Sequence, residues 1–402
     1  MQIGIIGGGA AGMMAAILVR QAGIEIQIFD ANAEFGRKLS ATGAGRCNIS
    51  NRSANADAYF TDDSTVLKTC FELIPNSEVL RALEIIGIPT TSSEDGWIYP
   101  LSFSAANVVS IFENNLEDIP IFHNTLVTDI QKTDKGFILS TADRTKKYLV
   151  DKVILACGGP ANPQLGARGD LYQSLEKLGH PILPARPALT PIETDPVPFH
   201  KLQGVRLDTE IKLLREKKVI AHAIGNMIIT QWGLNGPGVM NISHLIDPKD
   251  AELYSLKINF APHFLDAMRD SFISPALQDL SPSSILKGFF TAKIVDFLLR
   301  QTNLVHLKTC KELSAKQREF LFKTIQDQEI SVRRVRGFKY AQASTGGIAL
   351  ADIDPCSMES HICKGLFLAG EILNVLGPCG GFNLHWAFLS GMLAAHGITN
   401  SK

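Results

Sequence analysis

The sequence has no excess of charge of either sign, no long apolar run and no Cys-x-x-Cys pair. Lys and Arg number 39 and Asp and Glu number 40, which gives a formal net charge of −1. A near-neutral chain lacks the broad basic surface that holds nucleic acid through its phosphates, so we expect no nucleic-acid partner. The longest apolar runs, such as residues 13–19, are too short to cross a bilayer, so we expect no membrane association.

Several chemical signatures are also missing. The seven cysteines are scattered, which predicts reduced thiols in a cytoplasmic protein. Residues 2–6 are reached without a basic segment or a cleavage site, so we expect no export signal. No group of His, Cys, Asp and Glu has metal-ligand spacing, and no nucleophile elbow occurs. We therefore predict neither a metal site nor a hydrolase triad.

A chain of 402 residues is too long for one ordinary domain, and its character changes twice. The first change is a proline-rich segment that predicts a crossing from one domain to the next. The second change comes near Gly337, where the pattern of strand, glycine turn and helix returns. The two ends therefore form one α/β domain with an inserted middle. The crossing holds six prolines within eighteen positions: Pro181, Pro184, Pro187, Pro191, Pro196 and Pro198.

Local patterns predict the elements of each part. In the ends we expect a helix over 66–86, hairpin strands over 119–147, a buried strand over 153–156 and a final helix over 382–396. In the middle, residues 200–260 favour short alternating strands. Residues 263–328 favour helices, with residues 281–284 between two of them and Ser314 as an N-cap.

The first thirty residues predict a strand, a glycine turn, a helix and a second strand. The turn has the spacing Gly-x-Gly-x-x-Gly. Gly7 permits the tight turn, Gly9 lets a pyrophosphate approach the backbone, and Gly12 lets the helix pack closely on the strand. The helix over 10–21 then presents free amides to the phosphates, and Asp30 stands where a carboxylate binds ribose hydroxyls. The sequence therefore predicts a dinucleotide site.

Two further segments extend this site. Residues 42–48 form a second glycine-rich loop, whose backbone can lie against a flat ring system while Lys38 and Arg46 reach a phosphate or an anionic ring. The alternative is a solvated basic loop. Near the other end, Glu371 follows a strand and suits a polyol, and residues 380–383 open the last helix. The amides of that helix would stabilise negative charge on a reduced flavin.

These segments resemble the bacterial NAD(P)/FAD-dependent oxidoreductases that include the aminoacetone oxidases and a bile-acid 3-oxo Δ4,6-reductase. The resemblance covers nearly the whole chain and is most specific over residues 42–48 and 370–384. It implies FAD as the cofactor and an α/β fold with a Rossmann-type, two-part FAD-binding domain. The implied domains are 1–186 with 337–402 for FAD, an inserted β-rich substrate domain at 187–262 and a small helical domain at 263–336.

The resemblance also implies a role for single residues. The implied cofactor contacts are Gly7, Gly9, Ala10, Ala11 and Gly12 at the pyrophosphate, Asp30 at the adenosine ribose, Lys38 beside the phosphates, Val127 at adenine through its backbone, Ala156 and Gly158 near the adenosine, Thr42, Gly43, Gly45, Arg46, Cys47 and Asn48 along the flavin, Gly370 and Glu371 at the ribityl chain, and Gly381, Phe382 and Asn383 at the flavin edge.

This chain departs from the family pattern at three positions beside the expected flavin ring. Asn374, Cys379 and His385 stand where members usually have Asp, Thr and Gln. These departures leave FAD binding as expected and put the identity of the substrate in doubt. His385 is a candidate base or substrate contact, and a packing histidine is the alternative.

Other candidates also have two interpretations. Cys47 beside Arg46 is either a thiol of lowered pKa or a passive packing residue, and the lack of a partner cysteine favours packing. The tryptophans are either walls of a substrate pocket or core residues, and core is the commoner role. They are Trp97, Trp232 and Trp386.

We expect an FAD enzyme that oxidises a small primary amine, as the resemblance implies. The products would be an oxoaldehyde, ammonia and hydrogen peroxide, with oxygen as the electron acceptor. The single dinucleotide fingerprint favours this interpretation, because the inserted middle shows no second one for NAD(P)H. The alternative is an NAD(P)H-dependent flavin reductase of a conjugated enone. A flavin protein associated with tRNA is a third interpretation, and the balanced charge speaks against it.

Overall fold

The computed structural model describes residues 1–143, 146–195 and 199–400. Pro196 and Pro198 of the predicted crossing lie outside these described residues. The chain forms two compact units. The first consists of Met1–Ala188 and Phe338–Lys402, and the second of Leu189–Gly337. In the described part of the chain, no helix has both the length and the apolar composition to cross a membrane.

The α-helices of the described residues alternate with strands in the first unit and cluster near the end of the second. They are α1 (Ala10–Gln21), α2 (Arg37–Ser40), α3 (Ser64–Leu73), α4 (Asn76–Ile85), α5 (Ala105–Asn114), α6 (Tyr172–Lys177), α7 (Pro237–Met240), α8 (Leu265–Ile273), α9 (Pro282–Leu286), α10 (Ala292–Gln301), α11 (Ala315–Gln326) and α12 (Phe382–Asn400).

The strands are short in the first unit and reach twelve residues in the second. They are β1 (Gln2–Ile6), β2 (Glu25–Phe29), β3 (Ser50–Asn51), β4 (Phe60–Thr61), β5 (Thr90–Ser92), β6 (Trp97–Pro100), β7 (Ile121–Phe122), β8 (Val127–Thr133), β9 (Gly136–Thr141), β10 (Lys147–Val150), β11 (Lys152–Leu155), β12 (Ile182–Ala188), β13 (Ile192–Thr194), β14 (Arg206–Arg215), β15 (Lys218–Ile229), β16 (Gly233–Asn235), β17 (Tyr254–Asn259), β18 (Gln328–Val335), β19 (Ala343–Ile348), β20 (Leu366–Leu368) and β21 (Val375–Leu376).

The first unit is built on a parallel sheet with the order β20-β11-β1-β2-β7. Its inner strands are buried on both faces, which explains their apolar runs. Helix α12 packs closely on α1, because a Cβ on Gly391 would lie only 2.5 Å from the carbonyl oxygen of Ala11. The carboxyl ends of β1, β2 and β20 therefore meet at one edge with the start of α12, where ligands bind in such sheets.

Four small antiparallel sheets in the described residues complete the surroundings of the parallel sheet. The order β10-β9-β8 forms a meander, β3-β6-β5 forms a second sheet, β12 pairs with β19, and β21 pairs with β4. The meander contains the hairpin strands predicted over 119–147. The helix predicted over 66–86 is interrupted, since α3 ends before Pro75 and α4 begins after it. Proline cannot continue a helix because it lacks the N–H and clashes with the preceding turn.

The second unit is a closed barrel with helices packed around one hydrophobic core. The strand order is β13-β16-β15-β14-β17-β18. The prediction of short strands over 200–260 is wrong for β14 and β15, which form a long hairpin. Ser281 caps the start of α9, so residues 281–284 begin a helix instead of separating two. Ser314 caps α11 as predicted, with Gln317 completing a capping box.

The chain enters and leaves the second unit at neighbouring positions. Ile192 pairs with Val335, and Arg336 N donates to Pro191 O at 3.0 Å. The predicted boundaries at 186/187 and 336/337 lie close to the limits of this unit. Its strands and its helices share one buried cluster. A further division at residue 262 stays a prediction.

Candidate cofactor site

The glycine loop between β1 and α1 leaves open space at one position and none at two others. Gly7 has φ +108, and a Cβ there would lie 2.4 Å from Ala156 O. A Cβ on Gly12 would lie 1.9 Å from Gly7 O, whereas a Cβ on Gly9 would meet no protein atom within 4 Å. The loop therefore has the tight turn, the close packing and the open face that a pyrophosphate requires.

The backbone N–H groups in the first turn of α1 have no acceptor within the helix. Gly9 is the N-cap and makes no side-chain cap, and the first intrahelical bond runs from Met13 N to Gly9 O at 2.9 Å. Ala10 and Ala11, which follow Gly9, are buried. Buried helix N–H groups need partners, and the positive end of the helix dipole favours an anion. These groups fit a diphosphate.

Asp30 lies directly after β2 and is tied to the glycine loop. Its Oδ2 accepts from Gly8 N at 2.7 Å, and its Oδ1 accepts from Asn32 N at 2.7 Å. The carboxylate is thus held at the sheet edge beside the loop, where the sequence predicts it. Gly8 and Asn32 were missed by the sequence analysis. The signal for Asn32 was its turn-forming spacing from Asp30.

Lys38 and Glu371 form a partly buried ion pair, Lys38 Nζ with Glu371 Oε2. The other carboxylate oxygen of Glu371 accepts from Ser344 N at 3.0 Å and Ser344 Oγ at 2.9 Å. A Cβ on Gly159 would lie 2.3 Å from Ser344 Oγ. Three distant segments therefore meet at one carboxylate. Sequence reasoning did not select Ser344, because nothing local in the sequence marks its contact with residue 371.

The predicted flavin loop has an unusual backbone. Gly43, Gly45 and two non-glycine residues, Ala44 (φ 54) and Cys47 (φ 60), have positive φ. Left-handed conformations in non-glycine residues are uncommon and concentrate at functional sites. Arg46 places its guanidinium over the ring of Tyr99 at 5.5 Å.

The side chains at the two ends of this loop are used internally. Thr42 Oγ1 donates to Leu39 O at 2.6 Å. The Asn48 amide, with its nitrogen turned toward them, donates to Ile98 O at 3.2 Å and Ser50 O at 3.0 Å. Burial raises the pKa of the Cys47 thiol to about 11, while a hydrogen bond with Thr42 lowers it slightly. The interpretation of Cys47 as a thiol of lowered pKa is therefore wrong.

The start of α12 is held in place by its own neighbours. The Asn383 amide accepts from Gly377 N at 2.9 Å and donates to Gly377 O at 2.8 Å. Tyr59 donates its hydroxyl to Phe382 O at 2.8 Å. A Cβ on Gly381 (φ +95) would lie 2.2 Å from Ser50 O. The side chain of Asn383 is thus occupied, which leaves backbone groups for a ligand.

His385 is buried and lies within the protein interior. Its Nδ1 is 2.9 Å from Ser50 Oγ, and its ring stacks on Phe71 with centroids 5.7 Å apart. Burial lowers its pKa to about 4. A side chain with no exposed surface does not reach a substrate, so this geometry supports the packing interpretation.

The remaining predicted contacts line the same sheet edge. Ala156 N donates to Ile6 O at 2.8 Å, and Gly158 follows it with φ +75. Val127 opens β8 at a register shift and is buried. Gly370 N donates to Ser390 Oγ at 2.9 Å.

The three tryptophans have different surroundings. Trp97 lies against the start of α12, where a Cβ on Gly380 would be 3.1 Å from its Nε1. Trp386 is buried and donates to Gly370 O at 3.3 Å, which makes it a core residue. Trp232 belongs to the second unit, under the guanidinium of Arg336 at 4.5 Å.

Two of the family departures also have structural surroundings. The Asn374 amide accepts from Gly346 N at 2.8 Å and donates to Asp62 Oδ1 at 2.9 Å. It therefore fixes the glycine end of β19. Burial raises the pKa of Cys379 to about 12.

Among residues 1–143, 146–195 and 199–400, no group of three or more His, Cys, Asp and Glu could hold a metal ion.

The sheet edge with its open glycine loop, acid and ion pair defines the class: a protein with a Rossmann-type FAD-binding domain. The family described as HI0933-like protein Rossmann domain matches residues 1–397, and the chain belongs to it. This membership, together with the relative of 33% identity, makes the protein an enzyme, an FAD-dependent oxidoreductase.

Two relatives and one solved structure illustrate the similarity. The 3-dehydro-bile acid Δ(4,6)-reductase of Clostridium scindens is 33% identical over 98% of both chains. The ribosomal RNA dihydrouridine synthase of Escherichia coli is 26% identical over 99% of this chain and 98% of its own. The open conformation of a flavocytochrome c3 fumarate reductase has a TM-score of 0.51 at 14% identity, covering 99% of this chain and 78% of its own.

Proposed function

We propose that the protein is a reductase that adds a hydride to a carbon–carbon double bond conjugated to a carbonyl group. The observation that carries this proposal is the 33% identity with a 3-dehydro-bile acid reductase over 98% of both chains. The relative named for dihydrouridine in ribosomal RNA supports it, because the uracil bond reduced in dihydrouridine is also conjugated to a carbonyl. The reaction class is common to two relatives whose substrates differ greatly in size.

The geometry of the site supports a role for several residues in holding FAD. The free amides of α1 would hold the pyrophosphate, Asp30 would bind the ribose, Lys38 would lie beside the phosphates, and Glu371 would meet the ribityl chain. When bound, FAD supplies the hydride chemistry. The first amides of α12 have no intrahelical acceptor, so they would offer N–H donors and a positive dipole end to negative charge on a bound flavin.

Hydride addition to the β-carbon of an enone leaves an enolate, and its α-carbon would take a proton from solvent water, so the proposed reaction requires no acid–base pair of the protein. Within the first unit, the candidate base His385 is buried and neutral near pH 7, because burial lowers its pKa to about 4. The described residues of the cofactor site thus bind, orient and shield. This is the task of the protein in a cofactor enzyme.

The electron source is the second part of the proposal. A reductase of this kind takes its electrons from NAD(P)H. The described part of the second unit is an antiparallel barrel with helices, without a parallel strand–glycine turn–helix unit. NAD(P)H would therefore dock transiently at the flavin instead of occupying its own Rossmann domain.

The same architecture favours a second candidate, oxidation of a small primary amine. An oxidase needs no NAD(P)H site, because oxygen accepts the electrons from the reduced flavin. An aminoacetone-like substrate would yield an oxoaldehyde, ammonia and hydrogen peroxide. This candidate and the reductase differ in the direction of hydride transfer at the same ring.

The flavin absorption band distinguishes the two candidates under anaerobic conditions. For the reductase we expect NADPH to bleach the band and an added enone, such as cyclohex-2-enone, to restore it. A band that persists with NADPH and bleaches with aminoacetone would replace the reductase by the oxidase. Re-oxidation by a uridine-containing RNA, and by no free enone, would restrict the substrate to nucleic acid and overturn our expectation of no such partner.

A further inference from the structure

Strand β6 places two aromatic side chains on the face that meets the cofactor site. Side chains alternate along a strand, so Trp97 and Tyr99 point the same way. Trp97 lies against Gly380 at the start of α12, and Tyr99 lies under the guanidinium of Arg46. This face of β6 therefore contacts both segments that we assign to the flavin ring.

The apolar surface continues past the end of β6. The rings of Tyr99 and Phe103 have centroids 5.4 Å apart. Leu101 is 57% exposed and Phe103 is 48% exposed. We call Trp97, Tyr99, Leu101 and Phe103 the β6 wall. Large exposed apolar side chains that adjoin a binding site commonly form part of it.

The backbone of Phe103 adds to this observation. Its φ is +47, a conformation that costs a bulky residue free energy. The Phe103 side chain is half-exposed, so its contact with Tyr99 offsets only part of this cost. The strain is explained if the ring is presented to a ligand.

A positive charge stands beside the wall. Arg46 has an exposed side chain, and its guanidinium makes no salt bridge with the residues that the structure describes. Its Nε donates to Gly43 O at 3.4 Å. The remaining N–H donors suit a carboxylate, which a guanidinium binds through two parallel hydrogen bonds.

We infer that the β6 wall binds a bulky apolar body of the substrate and that Arg46 binds an acidic group on it. This inference rests on the proposed function and narrows it to bulky conjugated ketones that carry a carboxylate. Leu101 and Phe103 are then specificity-determining residues, because a small enone has no atoms to reach them.

Phe103→Asn is the sharpest variant. Asparagine removes the ring and tolerates the left-handed conformation, so the turn is not strained further. The matched control is Phe320→Asn on α11, where the lost ring is 52% exposed but belongs to the second unit. Leu101→Asn repeats the test without any change at Phe103.

The main measurement is the dissociation constant of a 3-oxo-4,6-diene steroid carboxylic acid for the oxidised holoenzyme, read from the shift of the flavin band. We expect Phe103→Asn to weaken binding about tenfold through lost apolar contact, and Phe320→Asn to leave it unchanged. The methyl ester of the same steroid should bind the wild type several-fold more weakly than the acid. The KM for cyclohex-2-enone should stay the same in the control variant Phe320→Asn.

The outcomes separate this inference from the proposed function. Equal affinity of the wild type, Phe103→Asn and Leu101→Asn for the steroid acid would overturn the β6 wall, whatever the turnover. Equal affinity for the acid and the ester would overturn the role of Arg46. If the steroid acid binds through the β6 wall but no enone is reduced, the binding site is supported and the proposed reductase function is refuted.

Discussion

Gly9 and Gly12 belong to one motif but lack side chains for different reasons. A Cβ on Gly12 would lie 1.9 Å from Gly7 O, whereas a Cβ on Gly9 would meet no protein atom within 4 Å. Gly9 also has φ −85, which any residue adopts. We therefore expect Gly9→Val to fold as the wild type does and to lose FAD, because its methyl groups would fill the space of the pyrophosphate.

Two measurements check this prediction together: the flavin absorbance per mole of purified protein, and the melting temperature of the FAD-free protein. Gly337→Val is the matched control, since a Cβ there also meets nothing within 4 Å. We expect it to keep FAD. Gly12→Ala should lose stability by ~2 kcal/mol or more, through overpacking. A yellow Gly9→Val protein with full FAD content would refute the proposed phosphate site.

Tyr59, which is buried, and Tyr172, which is partly buried with a buried hydroxyl, offer an opposed pair of variants. The Tyr172 hydroxyl has no hydrogen-bond partner among the described residues, whereas the Tyr59 hydroxyl donates to Phe382 O at 2.8 Å. Leaving a buried polar group unpaired costs about 1–3 kcal/mol. In the FAD-free protein, Tyr172→Phe should therefore raise the free energy of unfolding, and Tyr59→Phe should lower it by ~1 kcal/mol. Urea unfolding measures both, and changes of the same sign would contradict the prediction.

At the scale of elements, His385 on α12 makes the free energy of unfolding depend on pH. Burial lowers the pKa of His385 from 6.5 to about 4 in the folded protein. Between these values the unfolded chain binds a proton that the folded protein does not, so stability falls as pH decreases from about 6.5 to about 4. We expect His385→Gln to lose less stability than the wild type between pH 7 and pH 5 in urea unfolding. The same loss in both proteins would show that His385 is not the group responsible.

Local patterns predicted the elements well where neighbours along the chain decide them. Helix α1 spans the predicted residues 10–21, because its glycine turn and small apolar residues are contiguous. The helix over 66–86 was predicted too long because apolar spacing was weighed above Pro75. The length of β15 was missed because its outward residues, such as Ile224, are apolar and exposed and weaken the alternation.

At the scale of the whole molecule, the second unit has the properties of an independent fold. It has its own buried cluster, and its first and last strands pair with each other at Ile192 and Val335. Adjacent ends let a segment be excised without breaking its own sheet. We expect Leu189–Gly337, expressed alone, to fold cooperatively into a β-rich protein that binds no FAD.

Circular dichroism and thermal unfolding of that segment check this prediction. A segment without a cooperative transition would show that the barrel depends on the rest of the chain. In the full protein, FAD should raise the stability of the first unit, because ligands stabilise the state that binds them.

The sequence by itself determined the cofactor class and the opening of the FAD domain. Strand, glycine turn, helix, strand and Asp30 lie within thirty consecutive residues, so short-range backbone geometry specifies them. Only the tertiary structure decided which distant side chains meet and which are buried. The partners Lys38 and Glu371 are 333 positions apart, and their contact depends on β20 returning beside β11. For the same reason, the burial of Cys47 and His385 is a property of packing that no local pattern in the chain expresses.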